Sequence, residues 1–535
     1  MKKFIQVLSQ RSTAVFFSLV LQIAVLVAVL VAFSGSFYLF SAASLALSFI
    51  VVIWILNDSK NPAFKLAWII PILAFPIFGG IFYLLFGRNR LDSRMRDNLA
   101  KAASFVSDAS SGEELIQEAQ GSRGYRGDAK ELQGTPGGED SLKALEALDL
   151  GAALQARYIS NASKTSLSRL SNTVYLSPGE TAFSAILREL EAARHYIFLE
   201  FFIIAEDGMW SSIFEILERK AKAGLDVRVM YDDFGGMGRL PRDYYKTLRS
   251  KGIRCAVFNP FRLILSSTHN HRDHRKILVI DGTTAFTGGI NLADEYINKI
   301  ERFGHWKDNA LMIKGEAVGD FTRMFLRLWN FAAPDRSDLP RIPANREPAK
   351  IVGDGFVLPY EDNPLDEEPV GVNVYLSLIM KAKRYLYITT PYLIIDEGLS
   401  GALCLAAKSG VDVRIITPGV PDKWYVHAVT RANYRPLLKA GVRIFEYSPG
   451  FIHSKSFLAD DKVGTIGTIN LDFRSFYLHF ECGVWLYGCT SLLALKEDFL
   501  ATQDACREVT MPELDKEKLY RKASGWLLKV FSPLF

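Results

Sequence analysis

Three apolar runs open the chain. Residues 14–33 carry no charge, Ser34-Gly35-Ser36 separate them from a second uncharged run over 37–56, and a third extends over 64–86. A helix of about twenty apolar residues is long enough to cross a bilayer. Lys2, Lys3 and Arg11 ahead of the first run also fit a cleaved signal peptide, but that run is too long for one and two more follow. The pattern predicts an N-terminal α-helical membrane anchor over residues 1–90, with two or three spans. Pro71, Pro76 and Gly79-Gly80 inside the third run leave room for a bent or re-entrant segment.

Past the third run the pattern changes twice. Residues 101–140 are rich in Gly, Ser and charge and read as linker. From about residue 150 apolar strands alternate with amphipathic helices, and the order repeats itself. "ARHYIFLEFFIIAEDG" (193–208) resembles "AKRYLYITTPYLIIDEG" (382–398), "AGLDVRVMYDD" (223–233) resembles "SGVDVRIITPG" (409–419), and "KGIRCAVF" (251–258) resembles "AGVRIFEY" (440–447). "SSIFEILERKAKAG" (211–224) has apolar residues at helical spacing and ends on Gly224, a C-cap candidate. Buried strands alternating with helices predict an α/β fold whose sheets are covered on both faces. The expected layout is the anchor over 1–90, linker and lead-in over 91–159, and two α/β repeats over 160–345 and 346–535 that form a pseudo-dimer.

Charge refines the picture in two places. The chain has 535 residues and a net charge of +5, too mild to argue for nucleic acid. Arg88, Arg90, Arg94, Arg96 and Lys101 follow the third apolar run and place the large C-terminal part in the cytoplasm by the positive-inside rule; three full spans would then put Lys2, Lys3 and Arg11 outside, against that rule. The five cysteines, Cys255, Cys404, Cys482, Cys489 and Cys506, show no C-x-x-C spacing and fit a reducing compartment.

The candidate chemistry lies in "HRDHRKILVIDGTTAFTGGIN" (271–291). His274, Lys276 and Asp281 form H-x-K-x4-D, and Asn291 closes a Gly-x-Asn turn. "HSKSFLADDKVGTIGTIN" (453–470) repeats the pattern with His453, Lys455, Asp460 and Asn470. On a strand, residues two apart share a face, so each His–Lys pair points one way. A Gly-x-Asn turn lets backbone and an amide approach an anion closely. Two copies brought together gather two imidazoles, two ammonium groups and two amides around one point. That set fits phosphodiester chemistry: lysines and asparagines hold the oxygens, one histidine attacks phosphorus and the other protonates the leaving alcohol. A single copy would read as a strand and a solvated turn; its recurrence at equivalent places in a repeat argues for function. His269, His271 and His274 in "HNHRDH" could invite a metal, but the second copy offers only His453, so no metal or cofactor is expected. His195, His305 and His427 are isolated and read as structural or surface residues.

These motifs resemble those of the phospholipase D superfamily, and their surroundings are similar to the bacterial cardiolipin synthases. "NPAFKLAWIIPILAFPIFGGIFYLLFGR", "FTGGINLADEY", "FGHWKD", "FIHSKSFLAD", "GTINLDFRS" and the final "FSPLF" carry the likeness, which spans all but about 101–150. His479 departs from it, standing where many relatives have Asn. The resemblance implies two tandem α-β-α-β-α sandwich repeats with one shared site. It also implies transfer of a phosphatidyl group between two phosphatidylglycerols through a phosphohistidine, without a metal, at the bacterial cell (inner) membrane. Carried over, His274 is the nucleophile, His453 the general acid and then base, and Lys276, Lys455, Asn291 and Asn470 hold phosphate. Asp308 and Glu481, each at the head of the strand after its Asn turn, orient the histidines. Asp281 and Asp460 belong to the catalytic motif, yet a carboxylate beside the diester would repel it, which gives them a structural reading. Two rivals stand beside this: hydrolysis of phosphodiesters by a membrane-bound phospholipase D or nuclease, and a non-catalytic membrane scaffold. "FNPFRLILSSTHN", ahead of the first motif, is apolar and suits lipid better than nucleic acid.

Overall fold

The computed structural model describes residues 37–58, 61–74, 97–102, 136–261, 267–333, 351–364 and 368–534, with a few isolated positions between 24 and 83. Nearly all of the apolar run 14–33, most of 75–96 and the segment 103–135 lie outside the described residues. Helices cover Phe37–Leu56 and Pro62–Ala74, and side chains of the first are described from Leu45 onward. Among the described residues, no helix is long and apolar enough to cross a membrane.

The repeat seen in the sequence is a repeat of topology. Sheet I contains β1 (Ser171–Leu176), β2 (Tyr196–Phe201), β3 (Asp226–Asp232), β4 (Arg254–Phe258), β6 (Lys276–Ile280), β7 (Thr284–Gly288) and β9 (Ala310–Gly315), in the order β1-β9-β7-β6-β2-β3-β4. Sheet II contains β10 (Phe356–Asp362), β11 (Tyr385–Thr389), β12 (Asp412–Pro418), β13 (Arg443–Tyr447), β15 (Ser456–Ala459), β16 (Val463–Gly467), β17 (His479–Tyr487) and β18 (Cys506–Val509). Its order is β10-β17-β16-β15-β11-β12-β13-β18, so it matches sheet I strand for strand and adds β18 at the edge. In both sheets three strands run parallel (β2-β3-β4 and β11-β12-β13), and the motif strand pairs antiparallel to the first of them. Parallel strands need coverage on both faces, which explains why β2, "YIFLEF", is buried throughout. The helix Gly208–Lys222 that returns the chain to β3 is capped by Asp207. It carries Arg219, Lys220 and Lys222 in its last turn and stops before Gly224 at φ +92°.

Three buried clusters fill the spaces between layers. Helices 179–192 and 208–222 cover the outer face of sheet I, and helices 370–381, 397–408 and 424–440 that of sheet II. Between the sheets, helices 318–332 and 490–504 pack with Phe198, Ile277, Tyr387 and Leu458. Residues 136–159, expected as the end of the linker and the lead-in to the first repeat, lie in two helices, Pro136–Leu148 and Leu150–Ser163. Their Leu145, Ala152, Ala156 and Ile159 complete the outer core of sheet II.

The two repeats also exchange strands. A short strand β5 (Arg272–Asp273) of the first repeat pairs with β17 of the second, in register Arg272 to His479. Reciprocally, β14 (Gly450–Ile452) of the second pairs with β8 (His305–Lys307) of the first. Arg275 joins the halves further, donating from Nε to Glu200 at 2.6 Å and from Nη1 to Glu361 at 3.0 Å.

Candidate active site

The exchanged strands deliver the histidines. His274 and His453 lie in the short connections that leave β5 and β14, two residues long after β5 and three after β14, not on the motif strands, which begin at Lys276 and Ser456. Each is pinned across the repeat boundary: His274 N–H donates to the Phe480 carbonyl at 2.9 Å, and His453 N–H to that of Lys307 at 2.7 Å. The geometry is crossed at the side chains too. His274 Nδ1 lies 2.9 and 3.0 Å from the two oxygens of Glu481, and His453 Nδ1 lies 2.8 Å from Asp308 Oδ2. A ring that donates Nδ1–H to a carboxylate keeps its lone pair on Nε2, the tautomer a nucleophile or base needs.

Both lysines fold back on their own motifs. Lys276 Nζ donates to the His274 carbonyl at 2.5 Å, and Lys455 Nζ bonds the His453 carbonyl and lies 2.9 Å from His453 Nδ1. One nitrogen cannot donate to Asp308 and accept from Lys455 together. Asp308 keeps the proton contact: burial pushes its carboxyl up, but the His453 ring and Lys455 hold it below the usual range. Burial and the two lysines keep His274 neutral, well below its ordinary value, and burial with Lys455 brings His453 down to about 4. Burial also lowers Lys276 to about 8 and Lys455 to about 7.

The two Gly-x-x-Asn turns, Gly288–Asn291 and Gly467–Asn470, meet the same site but differ in detail. Asn291 Oδ1 accepts from Ile203 N–H at 3.1 Å and Nδ2 donates to Tyr296 at 2.8 Å, leaving one amide hydrogen. Asn470 Oδ1 is buried without a hydrogen-bond partner among the described residues. Gly289 sits so close to the Asp308–His453 pair that a Cβ there would lie 2.0 Å from Asp308 Oδ1. At the equivalent place Thr468 donates to Glu481 Oε2 at 2.5 Å.

Asp281 and Asp460, grouped by their motif with the catalytic residues, do not join this cluster. They stand at the far ends of the motif strands, at φ 51° and 58°. There Asp281 accepts from the backbone N–H groups of Arg194, His195 and Tyr196, and Asp460 from those of Lys383, Arg384 and Tyr385. Their carboxylates hold the start of β2 and β11, so their place in the catalytic motif is a turn-fixing one and not a catalytic one.

The histidine-rich stretch does not gather either. His271 Nδ1 pairs with the Leu478 carbonyl at 3.2 Å and His269 stacks on Phe261. Instead His479 enters the site. Its ring centroid is 5.4 Å from that of His274, and its Nδ1 is 3.7 Å from Glu481 Oε1. One ligand atom each from His274, His479 and Glu481 lie within 4.8 Å of one another. Such a donor set suits zinc, but the buried ammonium groups of Lys276 and Lys455 in the same site oppose a dication.

Sequence reasoning missed the aromatic wall. Phe202 lies against His274 at 5.1 Å, and Tyr296, Trp306 and Phe451 surround His453 at 5.5, 5.3 and 5.8 Å. Trp306 Nε1 also reaches Asp308 Oδ2 at 3.4 Å. The alternation Trp306-x-Asp308 was the available signal, since both side chains fall on one side of an extended chain. These rings strip water from the imidazoles, and a dry site with two cations and two neutral histidines is suited to a monoanionic diester.

The chain is similar in sequence to known proteins. A family model described as "Cardiolipin synthase, PLD-like domain" matches residues 186–329 and 375–502, and one described as "Phospholipase_D-nuclease N-terminal" matches 46–88. A cardiolipin synthase of Halalkalibacterium halodurans is 34% identical over 480 residues, covering 89% of this chain and 90% of the relative. One of Geobacillus thermodenitrificans is 37% identical over 450 residues, 83% of each chain. Among solved structures, a phosphatidylserine synthase of Haemophilus influenzae superposes with a TM-score of 0.53 at 17% identity, covering 71% of this chain and 97% of its own, a likeness of fold.

Proposed function

The chain belongs to the cardiolipin synthase family of phospholipase D-like proteins, and on that premise we propose that it transfers a phosphatidyl group from one phosphatidylglycerol to another, giving cardiolipin and glycerol. The observation that carries this reading is the crossed pair His274–Glu481 and His453–Asp308 with two buried lysines between them. In the first step His274 Nε2 attacks phosphorus, the bond from phosphorus to the glycerol oxygen breaks, and His453 gives that oxygen its proton. In the second step His453 takes the proton of the incoming lipid hydroxyl, whose oxygen attacks phosphorus and frees His274. Glu481 and Asp308 hold the ring tautomers, while Lys276, Lys455, Asn291 and Asn470 bind the phosphate oxygens. His453, brought down to about 4 by burial and Lys455, needs an opposing charge to carry a proton near neutrality. The diester itself brings that charge, since a neighbouring anion favours imidazolium.

The apolar N-terminus supports a membrane location, with the repeats on the cytoplasmic side of a bacterial cell membrane. Leu47, Phe49, Ile50 and Ile53 are exposed on the part of the helix 37–56 that falls within the N-terminal family match. Carbonate or concentrated salt should leave the protein in the membrane fraction, and release of intact soluble chain refutes the anchor. Purified protein incubated with labelled phosphatidylglycerol should form cardiolipin and glycerol in equal amounts. Phosphatidic acid as the main product would make the enzyme a hydrolase.

A further inference from the structure

The helix Leu519–Phe531 turns its apolar face outward. Leu519, Tyr520, Ala523, Trp526, Leu527 and Val530 fall on one side at helical spacing, and all are exposed. The helix cannot roll to hide them. Gly525 meets the helix 424–440 so closely that a Cβ there would lie 2.9 Å from the Ala428 carbonyl oxygen and 3.4 Å from Ala432 Cβ. Leu528 fills the cluster of Phe64, Val426, Val429 and Phe473. Arg521, Lys522 and Lys529 flank the stripe.

The exposed apolar surface continues beyond this helix. The helix 62–74 packs against the C-terminal segment 519–534 and exposes Leu66, Ile70 and Leu73. The helix 37–56, matched to the N-terminal family model, packs on 62–74 through Val51, Val52, Ile55, Trp68 and Ile72. On the other side stands Trp424, 70% exposed, in the first turn of the helix that Gly525 crosses.

A short route leads inward from there. Lys423 Nζ lies 5.7 Å over the Tyr392 ring, Tyr392 bonds Asp422 at 2.7 Å, and Tyr392 meets Phe451, which faces His453. At the same end Phe473, three residues after Asn470, packs edge-on against Phe64 at 5.6 Å, and Asn61 Nδ2 donates to Asp396 at 2.6 Å and Tyr477 at 3.0 Å. The face that joins the N-terminal helices is therefore also next to the second turn, Gly467–Asn470.

We propose that the helix 519–531, together with Trp424 and the exposed residues of 62–74, lies in the surface of an anionic bilayer and presents lipid diesters to the site past Lys423 and Tyr392. An outward stripe of Leu, Trp and Tyr flanked by Lys and Arg is the composition of a helix that lies in a lipid interface. Continuity with the uncharged helix 37–56, through the helix 62–74, selects lipid over a second copy of the chain. The route to the site rests on the phosphatidyltransferase reading; the docking face does not.

The full chain in phosphatidylglycerol–phosphatidylcholine vesicles provides the test, with an environment-sensitive dye on Leu527→Cys and Cys404 and Cys506 replaced by serine. A second dye position, Leu154→Cys, is the reference. Leu154 is exposed on the helix 150–163, at the opposite end of the helical layer over sheet II. Emission at 527 should rise about threefold or more and be quenched by spin-labelled lipid, with neither change at 154. Equal behaviour at the two positions overturns the proposal, as does shielding at 527 without lipid quenching, the mark of a second copy. Trp526→Asp with Leu527→Asp should slow transfer in vesicles about tenfold while leaving the mixed-micelle rate within about twofold. An equal loss in both overturns the docking role. Absence of any transfer by the unaltered chain in micelles refutes the catalytic reading alone, since the dye still reports docking.

Discussion

The two halves of the site are built from one plan with different parts. Around His453 the carboxylate is the short Asp308, backed by Gly289, steadied by the N–H of Asn309 and by Trp306, and walled by three aromatic rings. Around His274 it is the longer Glu481, held by Thr468 with a second imidazole, His479, beside it. Where the backbone comes close, glycine and aspartate fill the space; where it stands back, threonine and glutamate do. The same hydrogen bond to Nδ1 is reached twice by different side chains, so the fold's symmetry does not make the two imidazoles chemically equal.

The sharpest way to break the comparison is to remove each ring. His274→Ala should abolish the covalent lipid adduct and lower transfer by about 10⁴-fold or more. His453→Ala should slow the reaction of phosphatidylglycerol about 10²–10⁴-fold, yet still become phosphatidylated by a p-nitrophenyl ester, whose leaving group needs no proton. The adduct should then persist, because no base activates the incoming hydroxyl. Mass spectrometry reads both; an adduct on residue 453 in His274→Ala, with none in His453→Ala, exchanges the roles.

Neutralising the carboxylates tests the crossed wiring. Asp308→Asn and Glu481→Gln should each lower transfer by about 10²–10⁴-fold, since an amide can hold the wrong tautomer. Asp308→Asn should reproduce the His453→Ala pattern, with adduct accumulating from the activated ester, although Asp308 belongs to the first repeat. Fast turnover of that adduct in Asp308→Asn defeats the pairing.

At the backing position the halves should differ in stability. Gly289→Ala drives a methyl group into Asp308 and the His453 carbonyl, a clash expected to cost about 1–3 kcal/mol and to damage activity. Thr468→Ala opens no clash but removes the hydrogen bond to Glu481 and the one that Thr468 Oγ1 accepts from the Cys482 N–H, about 1–3 kcal/mol. Thermal unfolding in detergent measures both, and a milder Gly289→Ala would show that the Asp308 side can yield.

The order of these contributions was unevenly visible in the amino-acid sequence. The strand and helix sequence, the duplication and the two motifs are local patterns, and they follow from periodicity and spacing. The strand exchange is not local: pairing Arg272 with His479 joins residues two hundred positions apart, and nothing in "HNHRDH" announces its partner. The helices 136–148 and 150–163 were obscured by the Gly-, Ser- and charge-rich stretch before them, and their place on the second sheet is a tertiary choice. Asp281 and Asp460 carried a motif's reputation, while their three backbone hydrogen bonds each are visible only once the chain turns at positive φ.

The smallest effect is in the pH profile. Burial brings Lys455 to about 7 and Lys276 to about 8, so both lose charge as pH rises through that range. KM for phosphatidylglycerol should rise several-fold between about pH 7 and 9, and Lys455→Arg, which stays charged, should flatten the rise. On the acid side His453 stays neutral down to about 4, and His274 also titrates below the ordinary range. At low substrate, where kcat/KM titrates the free enzyme, the profile should therefore show no inflection near 6.5. An inflection there would mean that one imidazole sits in a wetter place than its carboxylate and aromatic neighbours allow.

The exchanged strands bear on inheritance as much as on chemistry. A duplicated domain is ordinarily free to let one copy decay while the other keeps the work. Here β5 and β14 place each repeat's histidine against the other repeat's carboxylate, so a lesion in either copy is felt by the imidazole of its sibling. A single half on its own would lack the carboxylate that its histidine faces. The two copies differ at Gly289 and Thr468, each of which lies beside one carboxylate only.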